Sequence, residues 1–151
     1  MITVYRFAPE IFSNDLSGAG ARIYGGRWNS IGIPAIYTSF TISLALVELF
    51  IHKRTYEEIV VNQLMEITIA DTIHQSIDHH KIKNNWQNDA SYSQYMGSEF
   101  LLHKKSLGIK VPSAIIEQES NVVLNPLAPD FNKKVKIKTV KPFLFDGRLF
   151  K

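Results

Sequence analysis

The sequence contains no cysteine, and this absence excludes several classes of function. Without cysteine there is no disulfide framework, no thiolate nucleophile and no zinc site built on cysteine ligands. The five histidines also do not fall in a HExxH or other metal-ligand spacing, so we expect no metal centre. The pair His79–His80 lies in a polar segment, where we expect solvated side chains.

Long hydrophobic runs are also missing. The longest, residues 44–51, is too short to span a bilayer and is interrupted by Glu48. The first residues lack the layout of a signal peptide, so we expect a cytoplasmic protein without membrane contact. The net charge of +3 is small. It suits an anionic small molecule or an acidic partner, and it is too weak to indicate direct nucleic-acid binding.

The patterns that are present predict one α+β domain over residues 1–151, because 45% of the residues are apolar and short alternating segments recur. A helix capped by Thr41 or Ser39 runs to about Lys53. Residues 13–26 have the composition of a loop, and a short helix is predicted at 97–106. We expect small mixed or antiparallel sheets built from strands at 3–7, 33–38, 64–70, 110–116, 122–124 and 135–140, closed by 142–145. Lysines occupy the solvent face of 135–140, which is typical of an edge strand.

The most informative stretch is Gly25–Asn29, followed by Tyr37 and by Glu48 on the predicted helix. Glycines allow positive φ and close approach of a ligand, and the guanidinium of Arg27 suits phosphates. A carboxylate flanked by Leu44, Ala45 and Ile51 is costly unless something pairs with it or uses it. The stretch therefore predicts a site for an anionic ligand with a working carboxylate.

Each of these residues also has an ordinary structural interpretation. Glu48 could form an internal salt bridge with an arginine, and Arg27 could be a surface loop residue. Tyr37 could simply pack in the core, or it could stack on a ligand ring. Ser113 follows Pro112 and could be a turn serine; a Gly-x-Ser-x-Gly elbow is missing, so nothing indicates a serine hydrolase.

In order along the chain, the residues that carry a family likeness are Arg6, 18–21, Gly25–Asn29 with Gly32, 37–39, 45–48, 111–114, 119–121, 125–126 and 143–149. The chain resembles the RES domain over nearly its whole length. The family takes its name from an arginine, a glutamate and a serine. In this sequence those roles fall on Arg27, Glu48 and Ser113.

The resemblance implies a fold like that of ADP-ribosyltransferases and a bacterial toxin neutralised by an Xre-type helix-turn-helix antitoxin in a hetero-oligomeric complex. It also implies that NAD⁺ is a substrate, with no separate cofactor. Its acceptor is water or phosphate, or a protein side chain that receives ADP-ribose. Arg27 and Arg6 would then hold the pyrophosphate, beside Gly26, and Tyr37 would stack on the nicotinamide. Ser113 and Asn121 would bond the substrate or orient Glu48.

One position departs from the family pattern, since Ala128 stands where the family usually has a histidine. A slower reaction or a different acceptor would follow if that histidine contributes to catalysis elsewhere. Two further hypotheses stay open. One is a toxin ribonuclease, which the basic charge permits. The other is a non-catalytic binding module in which Arg27 and Glu48 form only a buried ion pair.

Overall fold

A computed structural model describes all residues, 1–151, and contains one seven-stranded mixed sheet. The strand order is β4-β5-β6-β2-β1-β3-β7, and all neighbours are antiparallel except the β4–β5 pair. The predicted mixed α+β architecture is confirmed, with the strands joined in a single sheet rather than in several small ones. The strands are β1 Ile2–Pro9, β2 Ile36–Ser39, β3 Asn62–Ile69, β4 Gln75–Ser76, β5 Gly108–Pro112, β6 Ser120–Leu124 and β7 Val135–Pro142.

Five α-helices and four 3₁₀ turns connect these strands, and none of the helices is long and apolar enough to cross a membrane. The helices are α1 Ala19–Tyr24, α2 Ile42–His52, α3 Tyr56–Val60, α4 Ala90–His103 and α5 Phe131–Lys134. The 3₁₀ turns are Glu10–Phe12, His79–Lys81, Trp86–Asn88 and Gly147–Phe150.

Two predictions are corrected by the structure: one predicted loop contains a helix, and one predicted helix begins earlier in the chain. The loop predicted at 13–26 contains α1, whose short Gly-flanked sequence lacks an apolar period. The helix predicted at 97–106 is the second half of α4, which begins at Ala90 after the capping residue Asp89. The buried residues of α4 are Ser93, Gly97, Ser98 and Leu101, and because only one of these four is large and apolar, the helix gives a weak periodic signal.

The alternation predicted for β1 is confirmed. Val4 and Ala8 lie in the largest core cluster on one face of the sheet, while Tyr5 and Phe7 pack in a separate cluster on the other. Strand β7 is an edge strand with exposed lysines, as predicted. Residues 143–145 do not extend the sheet; the ring of Phe143 instead packs edge-on against Phe7 at 5.0 Å between centroids.

Helix α2 packs on the face of Phe7 and Leu64 through Ala45 and Leu49. Its first turn is capped by Thr41, whose hydroxyl accepts the Leu44 N–H at 3.1 Å, as one of the two predicted caps. Full burial of a large apolar side chain such as that of Leu49 contributes about 1.5–3 kcal/mol. These contacts fix the position of α2. Glu48 lies on the same helix, and its side chain reaches Ser113, after β5, and Asn121, on β6.

Candidate active site

A cleft of about 790 Å³ opens beside β1 and β2, which pair with each other at one position only, Tyr5 with Ser39. Its volume is in the range of small-molecule and cofactor sites. The wall is largely apolar, with a small number of charged and polar groups. Those groups are Arg6, Asp15, Arg27, Tyr37, Glu48, His52, Lys53 and Asn121.

Glu48 is held by one of its two oxygens. Its Oε1 accepts hydrogen bonds from Ser113 Oγ at 3.0 Å and from Asn121 Nδ2 at 2.8 Å. Asn121 is fixed in turn because its Oδ1 accepts from Ser39 Oγ at 2.6 Å. Glu48 forms no salt bridge, and no protein donor reaches Oε2. The carboxylate is therefore oriented by the protein and keeps one oxygen for another molecule.

Ser113 lies behind this carboxylate. Its side chain is completely buried and does not line the cleft. Besides donating to Glu48, its Oγ accepts the backbone N–H groups of Ile115 and Ile116. Ser113 therefore organises its own turn, as the ordinary interpretation had it, and orients Glu48 at the same time. This position keeps it from contacting a ligand in the cleft.

Arg27 is an exposed residue of the cleft lining and forms no salt bridge with Glu48. Its Nη1 donates to the carbonyl of Gln87 at 2.9 Å, and its guanidinium lies 5.6 Å from the centroid of the Trp86 ring. A guanidinium has five N–H donors, so this docking leaves others free for an anion. The buried Arg27–Glu48 ion pair of the binding-module hypothesis does not form.

Tyr37 ties the arginine loop to β2. Its hydroxyl donates to Asn29 Oδ1 at 2.6 Å and accepts the Trp28 N–H at 2.9 Å. Burial raises the pKa of Tyr37, so the hydroxyl stays protonated and serves these two bonds. A methyl group on Gly26 would lie 2.6 Å from that hydroxyl oxygen. Glycine is therefore required there by close approach.

Arg6 is a half-buried cation that lines the cleft. Its Nη1 donates to the Tyr37 carbonyl at 3.3 Å, while its Nε is buried without a hydrogen-bond partner. Burial lowers the pKa of Arg6, and the charge of Asp15 opposes that shift. The pKa of Asp15 is itself lowered, first by hydrogen bonds from Ser17 and more weakly by Arg6. A charge this poorly compensated favours an anionic ligand.

The predicted site residues therefore gather in one place, with one exception. Arg6, Gly26, Arg27, Tyr37, Glu48 and Asn121 all line the cleft, and Ser113 lies behind it. Among the charged and titratable groups named above, the sequence reasoning did not include Asp15, His52 and Lys53 in the site. His52 follows Glu48 by one helical turn, and that spacing was the available signal.

Ala128 does not face this cleft. It is buried in the largest core cluster and borders a second depression of about 450 Å³. The sole group of three side chains with metal-ligand spacing is Asp78, His79 and His80, which is exposed and outside the cleft.

Comparison with known proteins agrees with the sequence resemblance. Residues 3–146 match the model of the RES domain. Over 137 residues the chain is 36% identical to "Toxin Res" of Photorhabdus laumondii, covering 89% of this chain and 88% of the relative. It is 31% identical to the "Prs ADP-ribosylating toxin" of Sphingobium sp. over 144 residues, covering 92% and 89%. The fold is similar to that in the crystal structure of the M. tuberculosis MbcT–MbcA toxin–antitoxin complex, with TM-score 0.73 and 22% identity over 94% of this chain and 84% of the other.

Proposed function

The chain belongs to the RES domain family of toxins, and we propose that it cleaves the bond between nicotinamide and ribose in NAD⁺. The observation that carries this proposal is the Glu48 carboxylate, held through Oε1 and free at Oε2, in a cleft that also contains two arginines. Loss of cellular NAD⁺ would then arrest the growth of the cell that contains the active toxin.

The reaction needs little from the protein besides positioning and charge. The ribose C1–nitrogen bond breaks and its electron pair goes to the pyridinium nitrogen, so nicotinamide leaves neutral. The sugar becomes oxocarbenium-like, and Glu48 Oε2 stabilises that charge and accepts a proton from a ribose hydroxyl or the acceptor. The chemistry is that of glycosidase carboxylates with a better leaving group, so a general acid is not required.

The rest of the cleft binds the substrate. Arg27 and Arg6 hold the pyrophosphate, to which a guanidinium donates in a planar fork. The ring of Tyr37 supplies a wall for stacking of the nicotinamide, while its hydroxyl remains engaged with the loop. Asn121 and Ser113 act by orienting Glu48.

Two candidate functions differ in the acceptor of ADP-ribose. Water or phosphate would make the protein a glycohydrolase or a phosphorylase. A protein side chain would make it an ADP-ribosyltransferase, and the similarity to a relative named "Prs ADP-ribosylating toxin" favours that alternative. Both begin with the same loss of nicotinamide, so the roles proposed for the cleft residues hold for either.

Chromatography of NAD⁺ incubated with the pure protein tests the proposal. We expect free nicotinamide, with ADP-ribose if water is the acceptor and a phosphorylated ADP-ribose if phosphate is required. Label transferred from NAD⁺ to a protein in place of these products would establish the transferase. If NAD⁺ stays intact with folded protein in buffer alone, with added phosphate and with an acceptor protein, the proposal of NAD⁺ cleavage is refuted.

We also propose an Xre-type antitoxin as the partner. Phe12, Ile23 and Tyr24 line the cleft and are 55%, 54% and 82% exposed, so apolar surface lies beside the charged groups for a protein partner to cover. The antitoxin would place a carboxylate, from a side chain or its C-terminus, near Arg27. An uncleavable NAD⁺ analogue should then compete with it. If the analogue and the antitoxin bind at the same time without affecting each other, the antitoxin does not occlude the cleft.

A further inference from the structure

The loop that carries Arg27 is held by a distant part of the chain, residues 86–98. Three residues of the loop, Gly26, Trp28 and Ser30, contact α4 directly. The Gly26 carbonyl accepts from Gln94 Nε2 at 3.0 Å, and the Ser30 N–H donates to Ser98 Oγ at 3.0 Å. These bonds connect residues that are 68 positions apart in the sequence.

Gly97 lies between those two hydrogen bonds. A methyl group added at Gly97 would be 1.9 Å from the carbonyl oxygen of Trp28. The helix and the loop are therefore in backbone contact, which only glycine permits. Gly97 has no positive φ, so the close approach to the loop is the constraint at this position.

The 3₁₀ turn Trp86–Asn88, which precedes α4, also contacts the loop that carries Arg27. The Trp28 ring packs on the Trp86 ring at 5.1 Å between centroids, and both tryptophans are buried. The Arg27 side chain lies over the same Trp86 ring and donates to the neighbouring carbonyl of Gln87. Both the backbone and the guanidinium of Arg27 are thus placed by this segment.

We propose that Gln94 and Gly97 are positioning residues for the substrate: they fix the Gly26–Ser30 loop so that Arg27 meets the pyrophosphate without a cost of ordering the loop. This inference rests on the proposed function. Neither residue lines the cleft, so neither touches the substrate. Because Arg27 holds a group that does not react, a displaced loop weakens binding in the ground state and transition state alike.

The test uses the near-isosteric Gln94→Met, which removes the donor to Gly26 but keeps the side-chain volume. We expect KM for NAD⁺ to rise about fivefold with kcat changed less than about twofold, and an unchanged melting temperature. Gln118→Met, which makes the same change in an exposed loop, is the matched control. An unchanged KM in folded Gln94→Met would overturn the role of the donor.

Gly97→Ala tests the backbone contact, with Gly147→Ala as its control because a methyl at Gly147 meets nothing within 4 Å. We expect a larger increase in KM than for Gln94→Met. A KM equal to that of the wild-type protein would refute the contact's role.

Amide hydrogen exchange supplies a readout that does not depend on NAD⁺ cleavage. In Gln94→Met the N–H groups of Gly26, Trp28 and Ser30 should exchange about tenfold faster, while those of β3 are unchanged. Unchanged exchange in the loop would refute the support by α4. If wild-type protein leaves NAD⁺ intact, the proposed function fails, and this exchange experiment still decides whether α4 holds the loop.

Discussion

Two concave regions of the molecule, the cleft and the second depression, differ in how their acidic side chains are paired. In the second depression, Lys134 Nζ lies 3.0 Å from Asp71 Oδ2 and 3.8 Å from Asp130 Oδ2, so these opposite charges neutralise one another. In the cleft, Arg6, Arg27 and Glu48 form no salt bridge, although all three line it. Their hydrogen-bond partners are carbonyls, a hydroxyl and an amide.

This difference separates a structural group of charges from a functional one. The hydrogen bond from Lys134 lowers the pKa of Asp71, and the same bond raises the pKa of Lys134, as in an ordinary surface ion pair. Neutral partners in the cleft instead fix the direction of each charged group and leave its charge for a ligand. The substitutions below test that distinction.

The largest effect is expected for Glu48→Gln, which removes the charge and keeps the shape. NAD⁺ turnover should fall by ~10²-fold or more, because a carboxylate that stabilises the transition state or accepts a proton contributes on that scale. Steady-state release of nicotinamide measures it. Glu66→Gln, a partly buried carboxylate on β3 outside the cleft, is the control. Near-normal turnover of folded Glu48→Gln would reduce Glu48 to a structural residue.

Ser113→Ala should have the next largest effect. It removes one of the two bonds to Glu48 Oε1 and the acceptor for two backbone N–H groups. We expect kcat to fall about tenfold, since a hydrogen bond to a charged group contributes about 1.5–3 kcal/mol, and the melting temperature to fall as well. Ser43→Ala, on the exposed surface of α2, should change neither quantity. Wild-type kcat in Ser113→Ala would show that Asn121 alone orients the carboxylate.

Arg27→Lys keeps the charge and loses the planar fork. We expect an uncleavable NAD⁺ analogue to bind about fivefold more weakly, because an ammonium cannot bond both the Gln87 carbonyl and a phosphate in the same geometry. Isothermal titration calorimetry measures this. Arg22→Lys, on α1 but outside the cleft lining, should bind normally. Equal affinity of Arg27→Lys and wild type would remove Arg27 from the phosphate site.

The smallest effect on NAD⁺ turnover is expected for Asp71→Asn, which breaks the ion pair of the second depression. Turnover should be unchanged. Because the folded-state pKa of Asp71 is depressed, its stabilisation is present above the ordinary aspartate pKa of about 3.9 and is lost as pH falls through the folded value. Urea unfolding should therefore separate the variant from wild type near neutral pH and not at strongly acidic pH. A loss of NAD⁺ turnover in Asp71→Asn would contradict the claim that the ion pair of the second depression is only structural.

Sequence patterns could predict one side of the cleft better than the other. The Glu48 side rests on α2 and on adjacent strands, whose periodic apolar residues identify them, and Thr41 is a recognisable cap. The support of the Arg27 loop depends on Gln94, Gly97 and Ser98. These residues are small or polar, and they meet the loop only through tertiary folding, so no local pattern marks them.

The role of Ser113 illustrates a second limit. A serine after a proline looks like a turn residue, and its bonds to two N–H groups confirm that interpretation. Its third bond, to Glu48, joins residues 65 positions apart. The resemblance to the RES domain singles out this serine, but only the folded chain, which brings Ser113 and Asn121 to the same oxygen of Glu48, shows why the carboxylate needs it.

The most direct test of the account is nicotinamide release from NAD⁺ by three proteins at equal concentration: wild type, Glu48→Gln and Asp71→Asn. We predict that wild type and Asp71→Asn release nicotinamide at the same rate and that Glu48→Gln is slower by ~10²-fold or more. Equal rates for Glu48→Gln and wild type, or no release by the folded wild-type protein, would contradict the claim that the unpaired charges of the cleft act on NAD⁺.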